Sequence, residues 1–303
     1  MASASSVAFI TGGASGMGLA LVERLVSDGW NVAIFDFNAA AGKKVQERLG
    51  GSGQVLFIQG NAISYDDQAQ AFVKTWEKWG RLDLVWGNAG IGDRIEFCSP
   101  VPEGPNGAPP RPDTLVVDIC LYGVIWTGYL ALHFFRKNPS KAGKLVFTSS
   151  LAGVYPAAPV PLYGAAKHGV IGLIRSMAKR LQEMGEPITV NCVCPGLVAT
   201  PLVSQKLVDA MPKDMITPAD TVVRAILQFV ADASITGQAA ECSGTEIHYR
   251  PVLPYSNPAA EYMVEAKYAS LVDKDEMMQD SAEKGKLLDA MASASDRDGI
   301  GAT

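Results

Sequence analysis

Tyr163 and Lys167 stand four residues apart in the segment Tyr163-Gly164-Ala165-Ala166-Lys167. On a helix that spacing puts both side chains on one face. A tyrosine hydroxyl titrates near 10, so alone it is a poor base at neutral pH. An ammonium held beside it favours the phenolate. Lowering the phenol by roughly three units takes about 4 kcal/mol, which close, partly desolvated charges can supply. The pair reads as a proton-transfer device. Thirteen residues before Tyr163 lies Ser150, in Thr148-Ser149-Ser150-Leu151-Ala152-Gly153. Read alone, a serine there is equally well explained as a helix cap.

A second set of residues suits a dinucleotide. Thr11-Gly12-Gly13-Ala14-Ser15-Gly16-Met17-Gly18 follows an apolar run and opens an amphipathic one. Gly12 permits a tight turn, Gly16 lets backbone approach a pyrophosphate, and Gly18 lets the helix pack close to a sheet. Backbone N–H groups of Ser15, Gly16 and Met17 would then face phosphate at a helix N-terminus. Eighteen residues past Gly18 comes Asp36. A carboxylate there accepts both hydroxyls of an adenosine ribose and repels a 2′-phosphate. Neither Ser15 nor Phe37 is the lysine or arginine that such a phosphate needs, so the expected cofactor is NAD rather than NADP. Asn61-Ala62 is placed to cap the adenine, and Asn88-Ala89-Gly90 to pack small residues against the cofactor. The bland alternatives are a glycine-rich turn with no ligand and a solvated strand-end acid.

These residues need a scaffold that brings distant loops to one edge. Runs 7–11, 32–36, 55–59, 83–86, 144–148 and 189–193 are nearly continuous in apolar character, as strands covered on both faces are. Between them, 17–27, 39–49, 66–79, 115–136 and 163–183 have helical periodicity. Strict alternation predicts an α/β fold: one Rossmann-type, doubly wound parallel sheet with helices on both faces. Ligands of such sheets lie beyond the carboxyl ends of the strands, where strand order switches. Residues 1–254 are expected to form the dinucleotide-binding catalytic domain, and 255–303 a helical extension or tail starting at Asn257-Pro258. Residues 99–112 hold six prolines and two glycines, so they form an inserted loop.

With these residues in place, the chain resembles the short-chain dehydrogenase/reductase family across about residues 5–250. The likeness rests on TGGASGMG, Asp36, NAG at Asn88, Ser150 with Tyr163 and Lys167, Asn191, and Pro195-Gly196 with Thr200. The stretches SSLAG, Tyr163–Gly169 and Gly244–Tyr249 carry a nearer likeness to one NAD-dependent member. The resemblance implies that Tyr163 is the general acid/base and that Ser150 hydrogen-bonds the substrate oxygen. It implies that Lys167 holds the nicotinamide ribose. It also implies that Pro195, Gly196, Val198 and Thr200 clasp the carboxamide, and that hydride passes directly between cofactor and substrate carbon. One position departs from the family. In Asp118-Ile119-Cys120-Leu121-Tyr122-Gly123, Cys120 replaces the usual asparagine, and a thiol is a weak hydrogen-bonding group. A buried inert thiol is the expectation; a nucleophile is the alternative.

Composition narrows the rest. There are 26 basic against 31 acidic residues, a net charge of −5, with no basic run for nucleic acid or anionic membrane. The polar start at Met1 and the apolar stretch near 123–135, interrupted by Thr127 and His133, predict neither a signal peptide nor a membrane span, and hence a cytoplasmic chain. Five scattered cysteines and three histidines offer no metal-ligand spacing. Apolar, proline-rich segments 98–112, 154–162 and the flap 200–217 are expected to form the substrate pocket. The substrate is then a lipophilic secondary alcohol or ketone of lipid, steroid, terpenoid or polyketide type. Arg94 and Arg111 are the nearest cations to anchor an acid. Apolar faces on 115–136 and 163–183 predict a homodimer or homotetramer. Two alternatives stay open: a non-redox cyclase or isomerase with NAD as scaffold, and a nucleotide-sensing protein without turnover.

Overall fold

Apolar runs and amphipathic segments alternate through the chain, and each becomes a strand or a helix. The computed structural model describes residues 5–51, 53–265 and 282–286. In chain order come β1 (Val7–Thr11), α1 (Gly16–Ser27), β2 (Asn31–Asp36), α2 (Ala39–Leu49), β3 (Val55–Gln59), α3 (Tyr65–Trp79) and β4 (Leu84–Gly87). After the proline-rich segment, α4 (Leu115–Val117) runs through a π-helical turn (Asp118–Tyr122) into α5 (Gly123–Lys137). Then follow β5 (Gly143–Thr148), a 3-10 turn (Leu151–Gly153), α6 (Pro161–Glu183) and β6 (Ile188–Pro195). The remainder is α7 (Gln205–Ala210), α8 (Ala219–Ala231), β7 (Ala239–Ser243), β8 (Glu246–Arg250) and α9 (Pro258–Val264).

The eight strands form one sheet in the order β3-β2-β1-β4-β5-β6-β7-β8. All neighbours are parallel except β7 and β8. Only Gly244 and Thr245 separate that pair, and so short a hairpin can join antiparallel strands only. The expected parallel sheet therefore carries one antiparallel edge strand. Side chains alternate between two cores. Phe9, Phe35, Phe147 and Cys192 pack with Phe72, Phe135, Val170 and Ile174 of α3, α5 and α6. Ile10, Ile34, Trp86 and Val193 pack with Leu21, Leu25, Val222 and Phe229 of α1 and α8. Burial on both faces is why the strands read as unbroken apolar runs.

Two expectations about helices change. The 115–136 helix is interrupted by the π turn, next to a close backbone approach: a Cβ on Gly123 would stand 2.8 Å from the Ala62 carbonyl oxygen. The helix also extends well beyond the apolar stretch 123–135. Leu115–Lys137 is 23 residues long, and its most apolar window has mean hydropathy 1.8, enough to cross a membrane by length and composition. Here 44% of its most apolar window is buried inside the protein, where Val124, Ala131 and Phe135 serve the core.

Met1–Pro251 is one compact unit and Val252–Thr303 a second. In the second, the Asn257 side chain accepts from the Ala260 N–H at 2.9 Å and Pro258 occupies the first turn of α9, as the sequence predicts. Most of the extension expected over 255–303 lies outside the described residues.

Candidate active site

Because β1 is flanked by β2 and β4, the chain reverses direction across the sheet there, and a crevice opens beyond the strand ends. Hydrogen bonds lock the crevice walls together. The Thr11 hydroxyl, ending β1, accepts from the N–H groups of Asn88 (2.9 Å) and Ala89 (3.0 Å) after β4. Asn88 Nδ2 donates to Gly12 O, and its Oδ1 accepts from the Thr148 hydroxyl ending β5. Trp86 Nε1 donates to the same hydroxyl at 2.9 Å. Asn88 is thus a structural tie between three strand ends as well as a wall of the crevice.

The resulting cavity has a volume of about 820 Å3. It gathers nearly every residue singled out in the sequence: Gly12, Ser15, Gly16, Met17, Asp36, Phe37, Asn61, Ala62, Asn88, Ala89, Gly90, Ser150, Tyr163, Lys167, Pro195, Gly196, Val198 and Thr200. Gly18 does not line it. It lies inside α1, where a Cβ would run into the Gly12 carbonyl, so its place is the packing of helix on loop. Gly12 and Gly16 have φ of +65° and +53°, a region open to glycine. A side chain on Gly16 would also strike Thr200, so the loop and the 195–200 segment meet at this glycine.

Asp36 ends β2 with its carboxylate fixed by two backbone donors, Ala14 N–H at 3.0 Å and Asn38 N–H at 2.9 Å. The Asn61 side chain accepts from Ile63 N–H at 3.2 Å, so its oxygen serves its own turn. At the other end of the cavity, α6 carries Tyr163 and Lys167. The lysine is 2% exposed, with Nζ 5.4 Å from the Tyr163 ring centre. One of its three N–H groups goes to Thr148 O at 2.7 Å. Burial opposes its charge, but the anionic forms of Cys120, Tyr163, Cys194 and Cys192 favour it, and the balance holds the lysine above its usual range. The Ser150 Oγ accepts from Ala152 N–H at 3.2 Å as the cap of a 3-10 turn, and the residue also lines the cavity. Cys120 sits in the π turn with no exposure. Its sulfur accepts from Ile91 N–H and donates to Ile91 O, which fits an inert thiol and leaves a nucleophile no access.

The pocket walls differ from expectation. Of the three apolar segments, only Thr200–203 reaches the cavity. Residues 154–162 are drawn away: Tyr155 donates its hydroxyl to buried Glu241 on β7 at 2.9 Å, which Arg250 Nε also engages at 2.6 Å. The prolines fold into their own exposed turn through Gly104 N–H to Ala108 O. Ile91, Arg94, Leu115, Ile119 and Leu197 line the cavity instead. Arg94 is paired with Asp113 at 3.2 Å, whereas Arg111 is exposed and away from the cavity. Sequence reasoning also missed Thr148, whose carbonyl and hydroxyl serve Lys167 and Asn88. Its only signal was a β-branched polar residue closing an apolar run.

The sequence profile of the family described as short chain dehydrogenase matches residues 6–210. A short-chain dehydrogenase/reductase of Penicillium rubens, prx6, is 35% identical over 238 residues, 78% of this chain and 79% of the relative. The NAD(+) 15-hydroxyprostaglandin dehydrogenase of Mus musculus is 34% identical over 200 residues, 65% of this chain and 68% of that one. It is the member to which SSLAG and the segments at 163–169 and 244–249 bear their likeness. Among solved structures, a 3-ketoacyl-(acyl-carrier-protein) reductase from Brucella melitensis complexed with NADH superposes with a TM-score of 0.66 at 24% identity, over 79% of this chain and 97% of that one. Sequence, strand order and crevice agree, and the chain belongs to the short-chain dehydrogenase/reductase family of oxidoreductases.

Proposed function

We propose that this enzyme interconverts a secondary alcohol and a ketone on a lipophilic small molecule, with NAD(H) as cofactor and Tyr163 as general acid/base. The observation that carries the proposal is the buried Lys167 ammonium, held by Thr148 O beside the Tyr163 ring at the cavity wall. A positive charge fixed there stabilises negative charge on the phenol oxygen as a proton leaves it or returns. Ser150 already accepts from Ala152 N–H, so its own O–H remains a donor for the substrate oxygen. The remaining N–H groups of Lys167 suit ribose hydroxyls.

NAD is supported by the fixed Asp36 carboxylate on the cavity wall and by Ser15 and Phe37, which offer a 2′-phosphate no cation. Gly12, Gly16 and the α1 N-terminus suit the pyrophosphate, and Pro195–Thr200 the carboxamide. When bound, the nicotinamide supplies or takes up the hydride; the protein's part is position and proton. The lipophilic substrate class is supported by Ile91, Leu115, Ile119, Leu197, Leu202 and Val203 on the wall, with Arg94 already engaged by Asp113. The catalytic parts fall within 1–254, with 255–303 as an extension.

The test is nicotinamide absorbance with NADH or NADPH and a panel of linear, alicyclic and terpenoid ketones, with Tyr163→Phe as control. The expected result is turnover favouring NADH and lipophilic ketones, lost by at least about 100-fold in Tyr163→Phe. Tight NADH binding with no turnover across the panel would replace this reading with a scaffold or sensor role.

A further inference from the structure

The catalytic helix does not cap itself. An α-helix leaves its first N–H groups without intrahelical partners, and a Ser, Thr, Asp or Asn at the cap normally accepts from them. At the start of α6 the cap position is Val160, whose side chain accepts nothing, and Pro161 follows with no N–H to offer. Gly164 N–H already reaches Val160 O at 2.8 Å. That leaves the N–H groups of Leu162 and Tyr163. Both are taken by one carboxylate from elsewhere in the chain: Asp93 Oδ2 accepts from Leu162 N–H at 3.1 Å and Oδ1 from Tyr163 N–H at 2.6 Å.

Asp93 comes from the segment that leaves β4. Three residues earlier is Gly90, and both Gly90 and Ile91 line the cavity. That segment is fixed on its other side too. Cys120 exchanges two hydrogen bonds with Ile91, Arg94 pairs with Asp113, and Asp113 accepts from Leu115 N–H at 3.0 Å at the start of α4. The carboxylate therefore ties the backbone of Tyr163 itself to the cavity wall on which Asn88–Gly90 stand. A negative charge at a helix N-terminus is also favoured by the helix dipole, which strengthens the tie.

We infer that Asp93 is a positioning residue for the reaction: it holds the backbone of Tyr163 in register with the cofactor wall and so sets where the phenol oxygen meets the substrate. The inference rests on the reading of Tyr163 as the acid/base. It assigns Asp93 no contact with substrate.

The experiment uses the full chain with NADH and whichever ketone of the panel the wild type reduces fastest. Asp93→Ala should lower kcat roughly 10- to 100-fold, the scale on which a misplacement near 1 Å acts. The KM and the NADH Kd, read by nicotinamide fluorescence, should stay within about threefold, because substrate and cofactor contacts are not removed. Asp93→Asn keeps one oxygen to accept from the helix and should recover most of the lost kcat. If Asp93→Ala does not fold, Asp93→Asn carries the test alone, with kcat several-fold down and NADH binding intact. Wild-type kcat in folded Asp93→Ala overturns the inference. So does a parallel loss of kcat and NADH binding, which marks a general structural role. Tyr163→Phe separates the two readings. Full turnover there removes the role of Tyr163, and that of Asp93 with it; loss there with none in Asp93→Ala removes Asp93 alone.

Discussion

At the scale of single residues, the site is a set of side chains whose hydrogen bonds inside the protein leave capacity facing the cavity. Asp36 shows the logic. Two backbone N–H groups hold its carboxylate still, and a carboxylate has lone pairs beyond those two. Asp36→Asn keeps the shape and removes the charge. NADH binding should weaken roughly tenfold, the loss expected for a charged hydrogen bond, while NADPH binding should tighten as repulsion of the 2′-phosphate falls away. Fluorescence titration with both nucleotides checks this, and an unchanged ratio of the two affinities would sink the assignment of Asp36. Such residues were legible in the sequence because local spacing reports them. Tyr163 and Lys167 sit four apart, and Asp36 closes a strand after the glycine loop. Asp93 and Thr148 were not legible, since each acts through a partner about 20 to 70 positions away that only tertiary packing brings near.

At the scale of elements, the same division holds. The strands up to β6 and their helices were legible because each is covered on a known number of faces and shows the matching periodicity. The region from 200 to 254 was not assigned elements, although α8 buries Val222, Val223, Ile226 and Phe229 at helical spacing. The π turn had no signal at all, because it comes from what α5 meets. There, Gln68 of α3 is 1% exposed and bridges three groups. Its Nε2 donates to Ala62 O at 2.7 Å and Gly123 O at 3.0 Å, and its Oε1 accepts from the Thr127 hydroxyl at 2.7 Å. One amide thus holds the β3–α3 turn, α3 and the start of α5 together beside the cavity that Ala62 lines. Gln68→Ala should destabilise the fold by about 2–3 kcal/mol, because it removes three hydrogen bonds of a buried amide and opens a small cavity. Urea denaturation would show a lower midpoint with an unchanged slope; a midpoint within error of wild type would mean that water replaces the amide without loss.

At the scale of the whole molecule, the question is what covers the outer side of α5. Tyr122, Ile125 and Tyr129 stand exposed along it, Tyr129 at 67%, and Tyr65 and Val73 of α3 are exposed as well. The expectation of a matching apolar face on α6 is not met: its outward positions are Ala165, His168, Gly172 and Ser176, which are small or polar. Contiguous large apolar groups on a protein surface usually mark a partner surface. We propose that α5 pairs with α5 of a second copy, since closed two-fold dimers are the commonest solution for such a face. A membrane is the competing occupant, given the length and hydropathy of Leu115–Lys137. The burial of Val124, Ala131 and Phe135 in the core argues against it, because a spanning helix would have to leave the fold. Tyr129→Glu separates the two. A carboxylate in the centre of a dimer contact loses its water without gaining a partner, which costs several kcal/mol. Sedimentation velocity should therefore show the wild type as a dimer or tetramer and Tyr129→Glu as a folded species of half that size that still binds NADH. A wild type that sediments as a monomer, or a variant that assembles as before, would remove α5 from the interface.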